Sequence, residues 1–276
     1  MARALSQAFV VVTGASRGIG RAIALELAEA GASLLLVARN GRALQDVARE
    51  VSGRGGAAQS LAVDLTRDDA TKRVYDAAAA PRGRIDLLVN NAGIALGVPF
   101  VETGVEVLRD HLRINLEVPF LLTQALVPLL EAAARLEASD DGAATGAAAA
   151  TDAAATDAAV SEATPRHGEA VIINISSVVG HKGYENQSAY SASKHALLGF
   201  TKAAGKELRH RGIRMHAVSP GGTATDMIAG VRPDLDPQTL IQPQAVARTV
   251  RFIYEMGDGA AVDEVQLRRS SGTPWA

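Results

Sequence analysis

Tyr190, Lys194 and Ser177 have the side-chain types needed to move a proton on or off a carbonyl oxygen. Tyr190-Ser191-Ala192-Ser193-Lys194 lies in a stretch with helical patterning, and a four-residue spacing puts phenol and ammonium on one helix face. A free phenol has a pKa of about 10, too high for acid–base work at neutral pH. A nearby lysine cation and the positive charge of an oxidised nicotinamide both favour phenolate and are expected to lower that value. Ser177 ends an apolar run thirteen residues before the tyrosine and can donate a hydrogen bond to the same oxygen. The matching reaction delivers hydride to a carbonyl carbon while Tyr190 protonates the developing alkoxide. A lone Tyr-x-x-x-Lys occurs often by chance, so the reading depends on the complete set standing in order on one sheet.

Hydride chemistry needs a dinucleotide, and Thr13-Gly14-Ala15-Ser16-Arg17-Gly18-Ile19-Gly20 offers a place for one. Its G-x-x-x-G-x-G spacing departs from the commoner G-x-G-x-x-G fingerprint, but the physics is shared. Glycines let the backbone turn sharply beside a pyrophosphate, and a helix N-terminus supplies free N–H groups. Gly14, Ser16, Arg17, Gly18, Ile19 and Gly20 are therefore expected at the cofactor. A carboxylate at the end of the second strand would bind a free ribose hydroxyl and repel a 2′-phosphate. Ala38 stands there instead, followed by Arg39, and Arg17 can approach the same region. Two guanidiniums without a carboxylate suit a phosphate dianion, so NADP(H) is expected in preference to NAD(H). Asp64-Leu65 would meet the adenine, although Asp64 could equally cap the next helix. Asn90-Asn91-Ala92-Gly93 closes the fourth strand, placing Asn91, Ala92 and Gly93 at the carboxyl edge where such folds bind ligands.

The positioning elements follow from hydrophobic patterning. Strands are expected at Phe9–Thr13, Ser33–Ala38, Gln59–Val63, Asp86–Asn90, Ala170–Ser176, Arg214–Val218 and Val262–Leu267. Helices are expected at Ile19–Ala30, Arg42–Ser52, Asp68–Ala79, Ala189–Arg211 and Gln244–Glu255, with one long helix over Val105–Leu136. The strands are nearly all apolar, which implies cover on both faces. Strand–helix alternation of this kind predicts an α/β fold: one doubly wound, Rossmann-type domain with a parallel seven-stranded sheet and helices on both faces.

The composition is that of a globular protein: 276 residues, 47% hydrophobic and 21% charged. A net charge of −2 gives no reason to expect nucleic acid or a membrane as partner, and no apolar stretch reads as long enough to cross a bilayer. The absence of cysteine excludes disulfides, thiolate metal sites and a cysteine nucleophile, and suits a cytoplasmic location. None of the six histidines has metal-ligand spacing, so no metal is expected. Residues 137–165 break the pattern. Glu137–Thr164 carries thirteen alanines and six acidic groups but no apolar stripe, and reads as a mobile surface insertion in the single domain 1–276.

Taken together, the glycine loop, Asn90-Asn91-Ala92-Gly93, Ser177, Tyr190-x-x-x-Lys194 and Pro220-Gly221 resemble the short-chain dehydrogenases/reductases from Phe9 to about Leu267. The resemblance implies an NADP(H)-dependent enzyme acting on a small carbonyl or alcohol. It matches Asn115, inside the long helix, to an asparagine whose side chain holds a water in a proton relay with the lysine, and it gives Lys194 a second bond to the nicotinamide ribose. Pro220-Gly221-Gly222-Thr223-Ala224-Thr225 looks like the segment closing over the nicotinamide, which places Pro220, Gly221, Thr223 and Thr225 at the cofactor. A homodimer or homotetramer is implied, paired through the helices at Val105–Leu136 and Ala189–Arg211. Many 3-oxoacyl-type reductases end in a Val-Asp-Gly-Gly-like segment. This chain has Asp263-Glu264-Val265-Gln266-Leu267-Arg268-Arg269, which leans towards a general carbonyl or alcohol oxidoreductase. The rival readings are a 3-oxoacyl-type reductase, an idle NADP-sensing protein, and an epimerase or dehydratase. The stretch Ile228–Ile241, apolar among prolines, is expected to line the substrate pocket.

Overall fold

The computed structural model describes residues 4–140, 170–232, 234–256 and 260–273. The expected insertion lies almost wholly outside the described residues. Seven apolar-rich segments pair as β1 (Phe9–Thr13), β2 (Ser33–Ala38), β3 (Ala57–Ala62), β4 (Leu87–Asn90), β5 (Ala170–Ile175), β6 (Ile213–Pro220) and β7 (Glu264–Leu267). They form one parallel sheet in the order β3-β2-β1-β4-β5-β6-β7. The chain winds outward from β1 to one edge, returns to β4, and winds to the other edge. That reversal opens a crevice at the carboxyl ends of β1 and β4.

Alternate residues of each inner strand feed two separate cores. Val10, Val12, Leu34, Leu36 and Val89 pack under α1 (Gly18–Glu29), α2 (Gly41–Gly53) and α8 (Pro243–Glu255). Val11, Leu35, Val37, Leu88 and Ile172 face α3 (Ala70–Arg82) and α5 (Val118–Asp140), with α6 (Ser188–Arg209) flanking them. Each fully buried aliphatic side chain stabilises this arrangement by about 1.5–3 kcal/mol. Asp86 starts β4 without breaking the core, because its carboxylate accepts the Phe9 N–H at 2.7 Å.

Three expectations need correction. Cover on both faces fails at the two edge strands, β3, whose residues are mostly exposed, and β7, none of whose residues is fully buried, because the helix layers cover the middle of the sheet and thin out at its margins. The long helix is three pieces: α4 (Val105–Leu112), a π-helical turn at Arg113–Glu117, and α5. The same stretch, Val105–Arg135, has the length and hydropathy of a membrane span, contrary to the sequence reading; this fold uses it to bury Leu122, Leu126 and Leu130 against the sheet. The short helix α7 (Asp226–Val231) covers the start of the segment Ile228–Ile241, and Ile228, Val231 and Leu235 line the cleft as expected.

Candidate active site

Ser177 leaves the carboxyl end of β5 in an extended conformation and accepts the Val179 N–H at 3.2 Å. Its hydroxyl lies 3.4 Å from the Pro220 carbonyl and is hydrogen-bonded to the phenol of Tyr190. Tyr190 stands in the first turn of α6 and Lys194 one turn later. Lys194 is buried, donates to the Ile175 carbonyl at 2.9 Å and holds its ammonium 5.9 Å from the phenol ring centre. Burial pushes that ammonium down to about 8. It pushes the Tyr190 phenol up, and the Ser177 hydrogen bond opposes this only in part. The expected lowering by lysine is therefore reversed in the protein alone: desolvation dominates, and the ammonium is directed to a β5 carbonyl.

Asn115 sits in the π-helical turn and is fully buried. Its Oδ1 accepts the Ile94 N–H at 2.9 Å, while Nδ2 donates to the Ile94 carbonyl at 3.0 Å and to Ser193 Oγ at 3.0 Å. Both amide hydrogens are thus spent on bracing the loop after β4 against α6, and Oδ1 keeps room for a second donor. The link to lysine is narrower than expected: a Cβ on Gly93 would stand 2.8 Å from Asn115 Oδ1 and 3.8 Å from Lys194 Nζ. Glycine keeps that point open to both residues.

The glycine loop is built on φ values that L side chains rarely adopt, +65° at Gly14 and +55° at Gly18. A Cβ on Gly14 would lie 2.8 Å from Asn91 Nδ2. On Gly20 it would collide with the Gly14 carbonyl, so this glycine serves helix–strand packing. No side chain caps α1, so its leading N–H groups remain available to an anion. Thr13 is a functional residue that the sequence reading did not single out. Its hydroxyl donates to the Val89 carbonyl at 3.2 Å and accepts the Asn91 and Ala92 N–H groups at 2.9 and 3.0 Å. Asn91 returns a bond to the Thr13 carbonyl at 2.9 Å, locking β1 to β4 at the crevice. His111 was also missed: from α4 its Nε2 accepts the Leu96 N–H at 3.1 Å, holding the next part of the same loop.

At the far end of β2, Arg39 is exposed and has no hydrogen bond or ion pair among the described residues. Arg17 differs from expectation, being held by Asp226 at 2.8 Å across the crevice. Asp64 does not cap α3; it accepts the backbone N–H and hydroxyl of Thr66 at 3.0 and 2.8 Å, which holds its carboxyl below the usual range. Pro220, Gly221, Thr223 and Thr225 lead from β6 over the glycine loop, where a Cβ on Gly18 would meet the Thr225 methyl at 3.2 Å. His181 pairs with Glu264 at 2.5 Å, away from the cleft lining.

A cleft of about 1640 Å³ runs from Arg39, Asp64 and Leu65 past Ser16, Ile19, Ala92 and Gly93 to Ser177, Tyr190 and Lys194. Gly20 and Asn115 lie behind its wall. Among the described residues no group of three His, Cys, Asp or Glu could hold a metal.

Comparison with known proteins agrees with this geometry. The family model described as short chain dehydrogenase matches residues 8–138 and 146–236. A 3-oxoacyl-[acyl-carrier-protein] reductase of Synechocystis sp. is 32% identical over 256 residues, covering 91% of this chain and 90% of that protein. Carbonyl reductase family member 4 of Danio rerio is 32% identical over 250 residues, covering 89% and 90%. A metagenomic short-chain oxidoreductase, solved in complex with NADP, superposes with a TM-score of 0.74 at 32% identity, covering 97% of this chain and 99% of that one. With the family model spanning both halves of the sheet, and the glycine loop and Tyr190–Lys194 at its crevice, the chain belongs to the short-chain dehydrogenase/reductase family.

Proposed function

We propose that the protein is an NADP(H)-dependent oxidoreductase interconverting a carbonyl and the matching alcohol, with Tyr190, Ser177 and Lys194 as its catalytic residues. The observation that carries this reading is the hydrogen-bonded Ser177–Tyr190 hydroxyl pair, one helical turn from a buried lysine, in the cleft at the strand-order reversal. When bound, the dinucleotide supplies or accepts the hydride. The cradle fits it: positive-φ glycines, uncapped N–H groups on α1 and Arg39, which among the described residues has no hydrogen bond or ion pair, suit a pyrophosphate and a 2′-phosphate. The metagenomic relative was solved with NADP. Gly14, Ser16, Arg17, Gly18, Ile19 and Gly20 would form the pyrophosphate turn, Asp64 and Leu65 would border the adenine, and Asn91, Ala92 and Gly93 would border the nicotinamide side. Pro220, Gly221, Thr223 and Thr225 would close over it, and Lys194 would reach its ribose.

In the reducing direction Ser177 holds the carbonyl oxygen and Tyr190 gives it a proton. A phenol pushed up by burial arrives protonated, as a donor must. For the reverse direction the lysine cation and the oxidised cofactor's charge favour phenolate. Asn115 is a positioning residue that fixes the loop under the nicotinamide site, and its Oδ1 and Lys194 Nζ flank the opening at Gly93 for a relay water. The Synechocystis relative favours 3-oxoacyl thioesters as a second reading. Steady-state NADPH consumption against neutral ketones, aldehydes and a 3-oxoacyl thioester tests both; no turnover with any of them refutes the enzymatic reading.

The same reading includes a homodimer or homotetramer. Phe120 and Leu121 on α5 are 45% and 38% exposed, and the Phe120 ring lies tilted against Phe200 of α6 with centroids 5.0 Å apart, so these two helices share an outward apolar face. Light scattering giving the monomer mass at micromolar concentration would refute the assembly.

A further inference from the structure

Seven arginines line the cleft: Arg17, Arg21, Arg39, Arg113, Arg232, Arg268 and Arg269. Four are committed to carboxylates, since Arg17 pairs with Asp226, Arg21 with Glu50, Arg113 with Glu117 and Arg232 with Asp234. Arg268 donates to the carbonyls of Arg269, Ser270 and Gly272, pinning the turn after β7. Two have no hydrogen bond or ion pair among the described residues. Arg39, at the adenosine end, is accounted for by the cofactor phosphate. Arg269 stands at the opposite end and is half-buried.

Its position follows from the sheet. Leu267 of β7 pairs with Pro220 of β6, and the Pro220 carbonyl lies beside the Ser177 hydroxyl. Arg269 leaves β7 two residues later, roughly 10 Å sideways from β5 at two strand spacings. A Cβ on Gly222 would lie 3.9 Å from Arg269 Cδ and 3.7 Å from Leu235 Cδ1, so the guanidinium stem shares an apolar wall of the substrate end. The acid that influences it, Asp234, is already held by Arg232 through two bonds of 2.7 and 2.6 Å. A half-buried arginine lining a cleft, with its neighbouring carboxylate already held by another arginine, is a seat for a ligand anion.

We propose that Arg269 binds an anionic terminus of the carbonyl substrate, a carboxylate or a phosphate monoester separated from the carbonyl by a short apolar spacer. The spacer would lie along Leu235 while Ser177 and Tyr190 hold the carbonyl. This rests on the carbonyl-reducing reading of the same cleft.

Calorimetry on protein saturated with NADP⁺, which blocks the pyrophosphate seat, tests the proposal with 6-oxoheptanoate, its methyl ester and 5-oxohexyl phosphate. The acid or the phosphate should bind at least ten times tighter than the ester, the stronger of the two identifying the source of the anion. Arg269→Gln should bring the acid-to-ester ratio close to one, and Arg269→Lys should keep part of it. In turnover with NADPH, the ratio of kcat/KM for acid over ester should collapse in Arg269→Gln through KM. Equal binding of acid and ester to the unaltered protein, no binding of either anion, or equal weakening of acid and ester by Arg269→Gln overturns the anion seat. The neutral-ketone panel, which does not involve the anion, separately decides whether the enzymatic reading stands.

Discussion

Asn115 Nδ2 lies 3.0 Å from Ser193 Oγ, and Ser193 in turn donates to the Tyr190 carbonyl at 2.8 Å. One amide in the π-helical turn therefore braces the first turn of α6, where the phenol is mounted, and the Ile94 loop at the crevice. A widened turn is a recognised device for presenting a residue that a regular helix would aim elsewhere. In this chain it lets a buried side chain satisfy partners on two elements.

Asn115→Ala should be costly for that reason. It removes three hydrogen bonds and orphans the partly buried Ile94 N–H and carbonyl. We expect a stability loss of about 2–4 kcal/mol in urea unfolding, accompanied by a fall in kcat. An asparagine that only held a water would leave stability near that of the unaltered protein.

Tyr190→Phe keeps the ring packing and removes only the proton donor. Turnover should fall at least a hundredfold, since proton transfer by a positioned group is worth ~10²–10⁴. NADPH affinity should stay within a few-fold. Residual turnover above one hundredth would assign the proton to another group.

Lys194→Met tests the cost of a buried cation. Its folded pKa of about 8 lies below the ordinary value of 10.5, so folding disfavours the charged form. The penalty is fully present below pH 8 and fades as pH rises towards 10.5, where the unfolded chain also loses the proton. It amounts to about 3 kcal/mol, set against ~1 kcal/mol for the lost bond to Ile175. The variant should lack turnover yet melt a few degrees higher at pH 7, with the advantage shrinking between pH 8 and 10.5. A lower melting temperature at pH 7 would mean that the cation is compensated in the folded state.

What could be read from the sequence was whatever depends on near neighbours along the chain. Apolar runs gave the strands of both cores, and the Gly14–Gly20 spacing gave the turn into α1. The Tyr190–Lys194 spacing gave one helix face. The rest depends on residues far apart in the chain. The Thr13 hydroxyl matters because Asn91 and Ala92 arrive 78 and 79 residues later. His111 matters because Leu96 turns back onto it. The π-helical turn holds Asn115 between Ile94 and Ser193, 21 and 78 residues away in sequence, a pairing that no local pattern encodes. Desolvation of Tyr190 is a property of the assembled cleft, so the raised phenol of the protein alone is not legible from the Lys194 spacing.

Arg17 was expected to share the 2′-phosphate with Arg39, but Asp226 lies 209 residues away in sequence and 2.8 Å away in space. This alters the prediction for cofactor preference. A 2′-phosphate is a compact dianion that needs fixed donors, and among the described residues Arg39, at the end of β2, bonds to no carboxylate, Asp64 acting on it only at longer range. Arg39→Ala should weaken NADPH by roughly ten- to a hundredfold, as expected for loss of a charge-assisted hydrogen bond worth ~1.5–3 kcal/mol. NADH binding should hardly change. Arg17→Ala should have a smaller effect on the NADPH-to-NADH ratio, because its guanidinium already spends a donor on Asp226. Combining Ala38→Asp with Arg39→Ala places a carboxylate beside the ribose, repelling a 2′-phosphate and accepting from a free 2′-hydroxyl. That pair should invert the ratio of kcat/KM values for NADPH over NADH. If the unaltered protein uses NADH as well as NADPH, or Arg39→Ala weakens both alike, Arg39 does not read the phosphate. If Arg17→Ala instead produces the larger loss of ratio, the Asp226 pair must open on binding and the assignment moves to Arg17.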